Sequence, residues 1–272
     1  MRLLILIVCL QASSLLAAPR VVTSIAPLQE ISASLMAGVA SPRSIVAAGA
    51  STHHFALRPS HMRLLQQADL VIWIDSHFEA GFGRLAETLP RSVSQLELLP
   101  ALGIDDQDGH IWFSPQILQQ VSEIIATRLI EIDPGHEAQY RRNARQLVAE
   151  IAAWREQLRL RLQRQPPRFI TDHQFSGHFE TDMGYASIAS IHDQHDGHGG
   201  LGKLRELEAR LREQNASCLL TLESTPSPLA LELAQKYNLK VISLSIATGD
   251  DSQSAPIIRR LQQFAAALDQ CA

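Results

Sequence analysis

The chain predicts an α/β protein of two lobes, each with a parallel sheet, joined by one long rigid backbone helix. Short β-branched runs alternate with helical patterns through both halves, as expected of βαβ units. Between the halves, His136 to Gln165 contains no glycine or proline and repeats apolar residues at Leu147, Ile151, Trp154, Leu158 and Leu162, one helix face at spacings of three and four. Histidines close the segments Thr52-His53-His54, Asp75-Ser76-His77 and Thr171-Asp172-His173 and open His110-Ile111-Trp112-Phe113-Ser114-Pro115. These are positions where strands of such a chain should end, and open α/β sheets bind ligands beyond the carboxyl ends of their strands.

In the first half the expected strands are Arg20 to Ser24, Ser44 to Ala48 and Leu70 to Ile74. Helices are expected over Leu28 to Met36, from Ser60, whose hydroxyl can cap the amides of Met62 and Arg63, and from Pro115 through Ile117, Val121, Ile124, Ile125 and Leu129, since proline suits a first turn. At about 1.5 Å per residue the central helix would reach roughly 40 Å, enough to cross between lobes; Pro166-Pro167 stops it. The second half predicts strands Arg168 to Thr171, Ser187 to Ile191, Cys218 to Leu222 and Lys240 to Leu244, with helices Leu204 to Glu213, Pro228 to Tyr237 and Ala255 to Leu268.

Residues 1–17 read as a secretory signal peptide: Arg2, an apolar run from Leu3 to Leu10, then small residues before Pro19. The run is too short to span a bilayer core of about 30 Å. The expected divisions are residues 1–17 (signal peptide), 18–134 (N-terminal lobe), 135–166 (linking helix) and 167–272 (C-terminal lobe), in a soluble exported protein. A net charge of −4 gives no footprint for nucleic acid. Removing the signal peptide removes Cys9 and leaves Cys218 and Cys271, an even pair in an oxidising compartment. One disulfide is expected in preference to two buried thiols, closing a loop worth roughly 4 kcal/mol in the chain-entropy model.

Neutral imidazole is the commonest transition-metal ligand, so the histidine segments together read as one metal site. Imidazole suits zinc and copper, whereas carboxylates suit manganese, and zinc is the expected ion.

Further segments stand beside the histidines: Ser24-Ile25-Ala26-Pro27-Leu28, His53 followed by Leu57-Arg58-Pro59-Ser60, Ala68-Asp69-Leu70-Val71, His110-Ile111-Trp112-Phe113-Ser114-Pro115, and His173 followed by Phe179-Glu180 and Gly184. In these the chain resembles the periplasmic solute-binding proteins of ABC importers specific for zinc or manganese. The resemblance covers nearly the whole mature chain. Asn215-Ala216-Ser217-Cys218 with Cys271 is similar to the disulfide of the zinc branch.

The resemblance implies a metal in the interlobe cleft, held by His53 and His110 from the first lobe and His173 from the second. It implies zinc capture in the periplasm and delivery to a membrane permease, with a periplasmic zinc chaperone as a further partner and no catalysis; a monomer suffices for such a binder. Relatives place an acid where Thr52 or Leu244-Ser245-Ile246 stands, so the fourth ligand is His77, Asp250, Asp251 or water. His54 and His61 read as surface or neighbouring residues, and Asp172 and Glu223 as acids able to orient an imidazole or to lie in solvent. The run His192-Asp193-Gln194-His195-Asp196-Gly197-His198 reads equally as a weak metal-capture loop and a solvated one. The alternative function is a zinc-dependent hydrolase, because three histidines and a water also lower the pKa of zinc-bound water. No His-Glu-x-x-His run or other hydrolase motif accompanies them.

Overall fold

A computed structural model describes residues 17–46, 58–105, 108–192, 201–244 and 255–272. The signal-peptide segment lies outside them except for Ala17, as do Thr52, His53, His54, His195, His198, Asp250 and Asp251. No described helix is long and apolar enough to cross a membrane.

The first sheet holds β1 (Val21–Thr23), β2 (Arg43–Ser44), β3 (Leu70–Trp73) and β4 (Ser94–Glu97), all parallel, in the order β2-β1-β3-β4. The second holds β5 (Phe169–His173), β6 (Ala189–His192), β7 (Cys218–Thr221) and β8 (Lys240–Ser243), parallel in the order β6-β5-β7-β8. The two halves thus share one topology. In each, the crossover direction reverses between the two central strands, β1 and β3 or β5 and β7, and this switch point opens a crevice at their carboxyl ends.

The helices of the first half are α1 (Ala26–Leu35), α2 (Pro59–Gln66), α3 (Ala80–Ala86), α4 (Leu98–Leu102) and α5 (Pro115–Ile132). The long helix is α6 (Glu137–Arg164), and the second half adds α7 (Gly177–Met183), α8 (Leu201–Glu213), α9 (Pro228–Tyr237) and α10 (Pro256–Asp269). Four of these elements escape the sequence pattern: β4, α3, α4 and α7. Strand β4 carries only Leu96 as a buried apolar residue, and the three helices are one or two turns long, too short to display a helical period. The start of α2 also differs from expectation. Proline is favourable in the first turn, so the helix begins at Pro59 with Arg58 as its cap, and His61 Nδ1 accepts the Arg58 amide at 3.1 Å; Ser60 is inside the helix.

Side-chain alternation along the strands divides the interior into three cores. Val21, Leu70 and Ile72 of the first sheet and Phe169, Cys218 and Leu220 of the second face a single continuous core, which also takes in α1, α5, α6 and α10. Val22, Val71 and Trp73 face an outer core of the first half, and Ile170 and Leu219 an outer core of the second. The lobes are therefore joined through shared interior.

Two further contacts tie the halves. Arg260 of α10 donates from Nε and a terminal nitrogen to both oxygens of Glu30 of α1, at 2.7 and 2.5 Å, and both side chains are buried. Asp182 of α7, also buried, accepts from the Ser114 hydroxyl at 3.0 Å, the Gln116 amide at 2.7 Å and Arg155 of α6 at 2.5 Å. Ser114 in turn accepts the Ile117 amide at the start of α5. Cys218 of β7 and Cys271, just beyond α10, are disulfide-bonded with their Cα atoms 5.3 Å apart, as expected.

Arg260→Met strands a buried carboxylate at Glu30 and should destabilise the protein by about 3–5 kcal/mol in urea unfolding, whereas Glu30→Met with Arg260→Met should recover much of that loss, because the buried pair itself carries a large desolvation cost.

Candidate metal site

His173 is the last residue of β5, at the switch point of the second sheet. Its Nε2 is shielded from solvent. His110 does not end a strand, contrary to the sequence expectation: it follows the loop after α4 and precedes a single 3-10 turn, Ile111–Phe113, that leads into α5. The ring is 3% exposed. The two imidazoles, one from each lobe, meet with centroids 5.4 Å apart.

Aromatic rings set this approach. Phe78 and Trp112 stand edge-on to His110 at 5.0 and 5.2 Å, and Phe175 packs on both histidines, 6.3 Å from His110 and 5.6 Å from His173. Beneath them Phe113 contacts Phe175 at 5.3 Å and Phe264 at 4.8 Å. Gly109 is required by this packing, since a Cβ there would run into the Phe78 ring.

Polar contacts hold the loop. Asp108 Oδ1 lies 2.8 Å from His110 Nδ1 and accepts the His110 amide at 3.0 Å. Burial pushes the Asp108 carboxyl up, but hydrogen bonding and charge from His110, with a smaller contribution from His178, outweigh it and hold the group below the usual carboxylate range. His178 of α7 donates from Nε2 to the Asp108 carbonyl at 2.6 Å, across the lobes. In the sequence Asp108 stands out only as part of the acidic run before His110; its aspartate-glycine-histidine spacing, which lets a carboxylate fold back onto the following backbone, is the signal that could have singled it out.

The other acids and histidines distribute differently. His77 is 72% exposed at its side chain, with Nδ1 3.3 Å from Asp75. Asp172 faces away from the candidate ligands: it accepts the Ser227 amide at 2.8 Å and the Ser227 hydroxyl at 2.7 Å, bracing the start of α9. His192 lies 3.3 Å from the same hydroxyl. Among the described residues, no group of three or more histidine, cysteine or acidic side chains is placed to hold a metal. Of the three expected ligands, His110 and His173 are brought together, and His53 lies outside the described residues.

Fold and site together define a two-lobed binding protein with imidazoles converging between the lobes. A family profile described as the zinc-uptake complex component A, periplasmic, matches residues 21–271, and the chain belongs to this ZnuA family. It is 28% identical over 239 residues to the high-affinity zinc uptake system protein ZnuA of Yersinia pestis, covering 75% of each chain. The laminin-binding protein Lmb of Streptococcus agalactiae, described as an adhesin with metal-transporting activity, superposes with a TM-score of 0.79 at 20% identity, over 93% of this chain and 100% of that one. A manganese-bound periplasmic metal-binding protein from Candidatus Liberibacter asiaticus superposes at 0.74 with 17% identity, over 92% of this chain and 99% of that one. The protein is a metal-binding, substrate-binding component of an ABC importer and not an enzyme; nothing in these likenesses supports the hydrolase alternative.

Near the site, Glu79 follows β3, and its Oε2 accepts the Ile74 amide at 2.7 Å. Burial raises its carboxyl to about 7. A folded-state value above the unfolded one means the folded protein holds the proton more tightly, so stability falls as pH rises from about 4.5 to 7 and stays reduced above. The melting temperature of metal-free wild type should carry this fall between about pH 5 and about pH 8, and Glu79→Gln should remove its share.

Proposed function

We propose that His53, His110 and His173 bind one Zn2+ in the interlobe cleft and that the loaded protein delivers it to a membrane permease. The observation that carries this reading is the convergence of His110 and His173. Two imidazoles bound to one zinc through nitrogens at about 2.0–2.1 Å, at a tetrahedral angle, have ring centroids about 5 Å apart; the separation here is 5.4 Å. The rings come from opposite lobes, so an ion bound to both also bridges them. An imidazole set favours zinc over manganese, although the shared fold accommodates a manganese-bound neighbour.

In this reading the lobes comprise residues 18–134 and 167–272, joined by 135–166, and a signal peptide of residues 1–17 directs export to the periplasm. The fourth position is filled by His77, Asp250, Asp251 or water. The run from His192 to His198 is not needed for the central site. The protein works as a monomer and exchanges zinc with the permease or with a periplasmic chaperone.

Competitive zinc titration of the chelator-stripped protein tests the assignment. Wild type should take one tight zinc per chain, and His53→Ala, His110→Ala and His173→Ala should each weaken it by more than the ~10–100-fold typical of losing an outer contact. Tight zinc that survives all three substitutions would overturn the ligand set.

Zinc competes with protons for imidazoles of ordinary pKa ~6.5. Affinity should therefore drop markedly between about pH 7.5 and about pH 5, and equal affinity at the two would contradict a histidine ligand set.

A further inference from the structure

Asp108 occupies an unusual position. Its carboxylate touches the first-lobe candidate ligand, while its main-chain carbonyl is held by the second lobe. Oδ1 takes two contacts from the same residue, the His110 amide at 3.0 Å and the His110 ring at 2.8 Å. An ionised carboxylate only accepts, so the proton in the ring contact must sit on His110 Nδ1. A neutral imidazole carries one N–H, which leaves Nε2 as the lone-pair nitrogen.

His178 fixes where that carboxylate stands. Its Nε2 bonds the Asp108 carbonyl at 2.6 Å, and α7 comes close enough that a Cβ on Gly177 would lie 3.0 Å from Asp108 Oδ2. Phe78 and Trp112 pack edge-on against the imidazole and restrict its rotation. The ring is thereby constrained both in tautomer and in orientation, with the constraint anchored in the opposite lobe.

We infer that Asp108 is a positioning residue of the metal site, holding His110 as its Nδ1–H tautomer so that Nε2 faces the ion, with His178 of the second lobe holding Asp108. The inference rests on the proposed ligand role of His110. Carboxylates set behind a metal-bound imidazole strengthen it as a ligand. Here the contact lies between residues two apart in one loop, and the carbonyl of the same aspartate is held by α7 of the opposite lobe.

Two measurements test it. In chelator-stripped protein at about pH 8, where an imidazole of ordinary pKa is neutral, long-range proton–nitrogen correlation spectra should show His110 with Nδ1 protonated and Nε2 bare in wild type, and a mixture of tautomers in Asp108→Ala. Zinc affinity should fall about 10–100-fold in Asp108→Ala and less in Asp108→Asn, whose amide oxygen can still accept from Nδ1. If Asp108→Ala does not fold, the spectra of wild type and Asp108→Asn carry the test, both showing Nδ1 protonated. A wild-type or Asp108→Asn His110 protonated on Nε2, or wild-type zinc affinity in folded Asp108→Ala while His110→Ala loses zinc, would overturn the inference. Unimpaired zinc binding by His110→Ala would instead remove the ligand reading on which it rests.

Discussion

The proposed metal site depends on a wedge of aromatic rings beneath it. Phe113 enters from the first half, three residues beyond His110, and Phe175 from the second, two residues beyond His173. Their contact with each other and with Phe264 of α10 fixes how close the carboxyl ends of β5 and the His110 loop can come. Each ring is fully buried, and edge-on or tilted pairs of this kind gain about 0.5–1.5 kcal/mol beyond the area they bury. The separation of the two imidazoles is therefore a packing distance, set by side chains that touch no ion.

Interlobe joints commonly resemble transient interfaces, polar and free to move. Here the joint is a continuous core closed at two points by buried charge, Glu30 with Arg260 and Asp182 with Arg155. Packed interiors are not continuously deformable, so wide opening of the lobes would require disassembly of this core. The long α6 packs along α5 and contributes Tyr140, Leu147, Ile151 and Leu158 to the same interior; it is a structural wall as well as a tie. Imidazoles held by such packing, as His110 and His173 are, lose little freedom on binding.

Most of the architecture was legible from residue pattern because its large elements obey their periods. The strands of both sheets that run through the middle alternate between two buried faces, which reads as continuous apolar sequence, and α6 shows its stripe without interruption. The elements that were not legible are those whose form is imposed by neighbours. Strand β4 is specified by pairing with β3, and α7 by what it docks against. At the site, His173 was legible because it ends a strand. His110 was legible only as a histidine in a recognisable segment, since a loop and a 3-10 turn position it. Its partner Asp108 was not recognised, because a hydrogen bond between residues two apart leaves no periodic trace. Asp172, next to a candidate ligand in sequence, points to the opposite face of its strand, as the two-residue period of a strand requires.

The division into three cores has an evolutionary consequence. The outer cores, around Val71 and Trp73 on one side and Ile170 and Leu219 on the other, are separated from the imidazoles by the thickness of a sheet. Substitutions accumulating there change the stability of their own half while leaving the ring separation untouched. The central core has less freedom, because the rings at its seam, Phe113, Phe175 and Phe264, set the reach between the lobes. A lineage can thus drift far at its two flanks and still present the same cleft, and a change of preferred ion would have to arise at the narrow seam between the sheets.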